Sequence, residues 1–259
     1  MKIITYRKAT GKYFPEGTMR LDYSSSVDGA ADWALALPGR NSALWIVIIH
    51  GHGSHGDQIF TRCDIRNSWL PVFLETGAGI LSVNLRDNAW MGPAASTDMH
   101  GLIDWLRSKY GMQKTIFASG SMGGTSNLIY AVLHPEDVDG VVARGAATDL
   151  ASYYNWCIGQ DMPIIQEIAE AIRISYGGTP EQQPELYRRH SALANADRLT
   201  MPVFFSHGGA DELIPVEQAR ALAAKMTGRK NFHYFEIPGG NHDSPLTESN
   251  SFPKIISMI

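Results

Sequence analysis

The sequence predicts an α/β protein with a mostly parallel central sheet, helices on both faces, and a small cap inserted after the sixth strand. Three observations carry this. Apolar, β-rich runs alternate with stretches of helical periodicity, which implies parallel strands joined by helical crossovers. The run Leu44–Ile49 (LWIVII) is continuous and β-branched, the pattern of a strand buried on both faces. Lastly, FASGSMGG (117–124), SHGGADELIP (206–215) and IPGGNHD (237–243) each follow such a run, placing Ser121, Asp211 and His242 in loops just beyond strand ends. An open α/β sheet collects its chemistry there.

An antiparallel start is expected around Arg20–Tyr23 and Trp33–Leu37, so Leu44–Ile49 counts as the third strand. A helix over Arg66–Glu75 and the strand Ile80–Asn84 follow. Asp98–Lys109 carries Met99, Leu102, Ile103 and Leu106 at the i, i+3, i+4, i+7 spacing of one helical face, with Thr97 as N-cap. Strand Thr115–Ala118 leads into Ser121 and a helix over Gly123–Leu133, which His134-Pro135 stops. Gly140–Ala143 is the sixth strand. Strand Val203–Ser206, helix Val216–Met226 and strand Phe232–Ile237 complete the alternation.

The rhythm breaks over 151–199. Here an apolar helix, Ile164–Ile174, sits behind Pro163 and is followed by GGTPEQQP and YRRHSALANADRL. An insertion at this point lies over the carboxyl ends of the strands, so it reads as a cap within a single domain spanning 1–259. A helical excursion that packs on the surface without touching substrate is the alternative. The stripe Ile164, Ile165, Ile168 and Ile172 is expected to pack on the sheet's upper rim, leaving Tyr153, Tyr154 and Trp156 toward the mouth of the site.

A chain of 259 residues with 44% hydrophobic content is long enough for one large α/β domain and short for two enzymatic ones. The formal charge of -4 and the lack of a Lys/Arg run give no electrostatic footprint for nucleic acid or an anionic membrane, which points to a small-molecule partner. No stretch approaches a membrane span, and charges interrupt the N-terminal apolar run at once, so no signal peptide is expected. Cys63 and Cys157 form neither a metal-spaced pair nor a disulfide framework, which fits a reducing cytoplasm. Oligomeric state, a homo-oligomer included, is left open.

Ser119-Gly120-Ser121-Met122-Gly123 has the form of a Gly-x-Ser-x-Gly turn with serine in the first glycine's place. Small residues two positions either side of a nucleophile let strand and helix approach closely around a strained serine. Position between an apolar strand and a helix makes the string specific, and the N–H of Met122 is one expected oxyanion donor.

With the His-Gly-x-Gly of His50–Gly53, the Ser-Met-Gly-Gly of Ser121–Gly124 and the His-Gly-x-x-Asp-x-x-x-Pro of His207–Pro215, the chain resembles the α/β-hydrolases. It is most similar to their prolyl-oligopeptidase-like and dienelactone-hydrolase-like esterase and peptidase branch, over roughly 44–245. The order Ser, Asp, His also matches that superfamily. The resemblance implies an α/β-hydrolase fold, with Ser121 as nucleophile, His242 as general base and Asp211 as its orienting acid. It also implies oxyanion donors from the backbone of His52 and Met122, and no metal or organic cofactor. The 43 residues before this stretch are too few for the branch's large propeller, which favours the esterase side.

Rival readings stand beside this one. Asp149 and Glu212 compete with Asp211 as the acid, and His233 with His242 as the base. His50, His52 and His55 approach the spacing of a zinc site in metallo-β-lactamase-like hydrolases, although Ser54 stands where that cluster has an aspartate. A catalytically inactive binding module is a third reading, against which an intact Ser/Asp/His set argues. Trp90 and Met91, with Tyr154 and Trp156 from the cap, are the expected substrate-binding residues, though the same rings could simply anchor the cap. Arg86 and Arg144 could read a carboxylate or pair with structural aspartates such as Asp87 or Asp98. The expected reaction is hydrolysis of small to medium carboxylic esters, sugar-acetyl and aromatic esters included, with amide or peptide hydrolysis as the runner-up.

Overall fold

The computed structural model describes residues 1–248 and 250–259. Nine strands form one sheet: β1 (Lys2–Lys8), β2 (Met19–Ser24), β3 (Ala31–Leu37), β4 (Asn41–Ile49), β5 (Ala78–Val83), β6 (Lys114–Gly120), β7 (Gly140–Arg144), β8 (Val203–Gly208) and β9 (Phe232–Ile237). Their spatial order is β1-β2-β3-β5-β4-β6-β7-β8-β9. Pairing is antiparallel from β1 to β5 and parallel from β5 to β9.

β4 explains why the sheet is covered on both faces. Trp45, Val47 and Ile49 enter one apolar core, whereas Ile46 and Ile48 enter the other. Period-two alternation within a wholly apolar run demands a helical layer on each side. One layer holds α1 (Gln58–Thr61), α2 (Cys63–Glu75) and, from the C-terminus, α9 (Ser251–Ile256). The other holds α3 (Pro93–Tyr110), α4 (Met122–Leu133), α5 (Leu150–Cys157), α6 (Pro163–Tyr176), α7 (Pro184–Arg189) and α8 (Val216–Lys225). Every residue of α4 from Met122 to Val132 is buried, the polar Thr125, Ser126 and Asn127 included, so this helix is enclosed on all sides.

The chain leaves β4 for β5 on one side and then crosses back to β6 on the other. The carboxyl ends of β4 and β6 therefore lie side by side at a reversal of strand order, where such sheets open a crevice. His50–Gly53 leaves one of those ends, and Ser121 the other.

Several boundaries differ from the sequence expectation. β1 was not expected, so the insertion over 151–199 follows the seventh strand of the sheet. Thr97 is no N-cap: α3 begins five residues before Asp98 with Pro93 at its first position, and the Thr97 hydroxyl donates back to Pro93 O inside the helix. Within the insertion, α5, α6 and α7 pack into the same core as α3 and α4. Of the expected isoleucine stripe, Ile165, Ile168 and Ile172 are buried, but Ile164 stays 38% exposed. No described helix is long and apolar enough to cross a membrane.

Candidate active site

Ser121 occupies the turn from β6 to α4 at φ 57 and ψ -128, a left-handed conformation that non-glycine residues hold only when their surroundings enforce it. Its N–H donates to Arg144 O at the end of β7 (2.8 Å), and its carbonyl accepts from Thr125 N (2.9 Å). Gly123 shows why the pattern needs a small residue after the serine. A Cβ there would lie 2.0 Å from Ile49 O. On the other side Ser119 does what glycine could not: its buried hydroxyl accepts from Ile49 N (2.9 Å), tying the end of β6 to the end of β4.

The three loops converge. His242 Nε2 lies 2.9 Å from Ser121 Oγ, and its Nδ1 donates to Asp211 Oδ2 at 2.7 Å. Asp211 is fully buried and Oδ1 accepts from Leu213 N and Ile214 N, both at 2.9 Å. Burial alone would raise its pKa. Hydrogen bonds from His207, His242 and the Ile214 N–H, with the charge on His242, outweigh burial and hold the carboxyl well below the usual carboxylate range.

His207 is a partner that sequence reasoning missed. Fully buried on β8, it reaches Ile214 O (2.9 Å) and Asp211 Oδ2 (3.3 Å) through one nitrogen, Nε2. A carbonyl only accepts, so Nε2 carries the proton, and Nδ1 has no hydrogen-bond partner among the described residues. The signal was present as the histidine that opens His-Gly-x-x-Asp, a position read only as motif.

Met122 opens α4, so its N–H has no intrahelical acceptor and points out from the positive end of the helix. The loop from β4 lies beside it: a Cβ at Gly51 would come within 4.0 Å of Ser121 Cβ. His52, next in that loop, is clamped through its side chain. Trp90 Nε1–H donates to His52 Nδ1 (3.2 Å), which leaves Nε2–H to face Glu167 on α6 (3.3 Å). Burial lowers the His52 pKa despite the Glu167 carboxylate.

The rival assignments separate cleanly. Asp149 caps α5 through Ser152 N (2.9 Å) and accepts from Ser191 Oγ (2.7 Å), remote from any histidine bond. Glu212 is exposed, and His233 stacks on Phe204. Both nitrogens of His50 face carbonyls, Gly51 O and Asn84 O, whereas His55 turns outward toward Asp87 (3.4 Å). His50, His52 and His55 therefore form no common donor set. Among the described residues the one cluster of such spacing is His100, His134 and Asp137, and there Asp137 is already taken by Arg107, His100 and Tyr130. Arg86 pairs with Asp28 and Asp98 (2.8 and 2.6 Å), and Arg144 lies buried over Trp69 with Glu248 O as acceptor.

The expected aromatic rim also needs correction. Trp90 and Met91 are 1% exposed and Tyr154 is 7% exposed, so the three are packed inside rather than displayed around a mouth; Trp156 is half-buried. The cause is α6 and α7, whose Tyr176 and His190 bond to Trp90 O and Met91 O and close over that loop. A cavity of about 410 Å³ does open beside the proposed base, lined by Ala210, Glu212, Leu213, Asn241, His242 and Asp243.

The model of the BD-FAE family matches residues 35–226, most of the sheet together with the Ser121 and Asp211 loops. The chain belongs to the BD-FAE family. Esterase LipC of Mycobacterium tuberculosis (strain ATCC 25618 / H37Rv) is 32% identical over 78 residues, which are 29% of this chain and 19% of that esterase. In three dimensions this BD-FAE family member is similar to a puromycin-hydrolyzing peptidase of M. tuberculosis (TM-score 0.70, 16% identity), covering 96% of this chain and 40% of the peptidase. It is similar also to the esterase Pf2001 of Pyrococcus furiosus (TM-score 0.67, 13% identity), covering 97% and 94% of the two chains. The chain thus spans about two fifths of the peptidase and nearly all of the archaeal esterase. At these identities the likeness establishes the α/β-hydrolase fold.

Proposed function

We propose that this protein is a serine hydrolase that cleaves carboxylic esters of small to medium size through an acyl-enzyme. The observation that carries the reading is the continuous hydrogen-bonded line from Ser121 Oγ through His242 to Asp211, at the N-terminus of a buried helix. Ser121 Oγ attacks the ester carbonyl as His242 Nε2 takes its proton, and the N–H groups of Met122 and His52 receive the oxyanion. Collapse of the tetrahedral intermediate passes the proton from His242 to the departing alcohol, for which the cavity beside His242 offers room. Water then attacks the acyl-enzyme by the same route in reverse. Asp211 holds the imidazole's tautomer and stabilises the imidazolium. Chain order, geometry and family membership support this reading, and the esterases among its relatives favour an ester over an amide.

Ser121→Ala is expected to lower ester turnover by a factor on the order of 10³ or more without loss of fold. A fluorophosphonate should label Ser121, and EDTA should leave the rate unchanged. A panel of acetyl, butyryl, longer-acyl and feruloyl esters beside aminoacyl amides fixes the substrate class. Faster turnover of the amides would overturn the ester assignment, and a Ser121→Ala protein retaining more than a few per cent of turnover would remove the nucleophile.

A further inference from the structure

Among the described residues, positive backbone φ at non-glycine positions gathers in two places. These are Ser121 and five residues of one seven-residue loop, Leu85, Arg86, Asp87, Trp90 and Met91. Such conformations persist only where the surroundings over-determine them, and they gather at functional sites. The strained loop follows β5, beside β4, and contains no residue of the proposed triad. It reaches the site through the bond from Trp90 Nε1–H to His52 Nδ1.

Behind Trp90 stands Tyr153 of α5, fully buried, with ring centroids 5.6 Å apart. The Tyr153 hydroxyl is engaged by the acid loop. It donates to Leu213 O (2.9 Å), and Leu213 N in turn donates to Asp211 Oδ1 (2.9 Å). One side chain of the insertion is therefore joined through its ring and Trp90 to His52, and through its hydroxyl to the loop that holds Asp211. Trp156, stacked on the outer face of Tyr153 at 5.9 Å, continues the aromatic ladder outward.

We infer that Tyr153 is a positioning residue that sets the oxyanion loop and the acid loop together, so that the insertion braces the catalytic geometry rather than selecting the acyl group. The inference rests on the serine-hydrolase reading above. Its physical basis is register. The His52 N–H must aim at the developing oxyanion and Asp211 must stay in line with His242, and a displacement of about 1 Å in either costs on the order of 10²-fold in rate. A buried side chain bonded to the acid loop and joined through Trp90 to the oxyanion loop makes the two alignments one, and the cost of the strained 85–91 turn is borne by this packing.

The test uses three substitutions in the full chain, and the Trp90→Phe/Tyr153→Leu double variant, with p-nitrophenyl acetate and a fluorophosphonate probe. Tyr153→Leu removes ring and hydroxyl, Tyr153→Phe removes the hydroxyl alone, and Trp90→Phe removes the donor to His52. Tyr153→Leu is expected to lower kcat about 10- to 100-fold with KM within about threefold, and to slow fluorophosphonate labelling in step. Tyr153→Phe, which keeps the ring against Trp90, should lie between it and wild type. Trp90→Phe should cost less in the Tyr153→Leu background than alone, since the ladder is already broken there. A lowered melting temperature with unchanged kcat would overturn the proposal and leave Tyr153 an anchor. A change confined to KM and acyl preference would overturn it in favour of a pocket-lining ring. If Tyr153→Leu does not fold, Tyr153→Phe decides by the same readouts. Turnover surviving in Ser121→Ala, or probe attached elsewhere, would instead sink the underlying reading.

Discussion

His207 shows how much of a site can hang on a residue with no chemistry of its own. Its Nε2–H is shared between Ile214 O and Asp211 Oδ2, and Nδ1 has no hydrogen-bond partner among the described residues. A buried N–H that donates to the carboxylate stabilises the charge on Asp211 beside the bond from His242. His207→Phe should therefore lower kcat by about 10- to 100-fold, the value of a buried hydrogen bond to a charged group. His207→Gln, whose amide can still donate, should recover most of the loss. Equal activity in the two variants, measured beside their melting temperatures, would reduce His207 to packing. Ser121, Asp211 and His242 were legible in sequence because each sits in a short local pattern next to a strand. The contributions of His207, Tyr153 and Ser119 were not, because each depends on an atom that only the tertiary fold brings near: Asp211 Oδ2, Leu213 O and Ile49 N.

Elements followed the same division. β4 declared itself through a long apolar run, α4 through the serine turn before it and the His134-Pro135 stop after it, and α6 through its period and a Pro at its first position. β1 did not, because an edge strand with one exposed face, written KIITYRK, carries charges where a buried strand would carry aliphatics. The insertion was legible as an interruption but not in its use. Directly after α7 comes His190, whose ring is buried against Tyr176 and bonds to Met91 O (3.1 Å), so it fastens the insertion onto the strained turn. Burial pushes the pKa of His190 down to about 4. The unfolded chain, with an ordinary histidine near 6.5, binds protons more readily between those values. The stability His190 contributes is thus complete above about pH 6.5 and is lost as the pH falls toward 4, to the extent of about 3 kcal/mol. Melting temperature should decline across that window in wild type, and more shallowly in His190→Gln. An identical slope in both proteins would exclude this histidine as the source.

At the scale of the molecule, alternation in the sequence revealed a parallel sheet with two helical layers, but the strand order that makes the crevice was beyond it. Nothing local tells β5 and β6 to take opposite sides of β4; that choice is made by how α2 and α3 pack on opposite faces. The proposed triad inherits this long-range character, since His242 lies 121 residues from Ser121 and 31 from Asp211. All six tryptophans occur at or before Trp156, whereas the acid and the base come from the last third of the chain. Contacts between distant segments form late in folding. On dilution from denaturant, tryptophan fluorescence should accordingly recover ahead of ester turnover, and coincident traces would show one concerted step. A ribosome completes Ser121 long before it reaches His242, so on the proposed mechanism every nascent chain passes through a stage with a nucleophile and no base to arm it. On the proposed mechanism, placing the serine 121 residues from its histidine makes activity a property acquired only once the second segment has been made and has folded back onto the first.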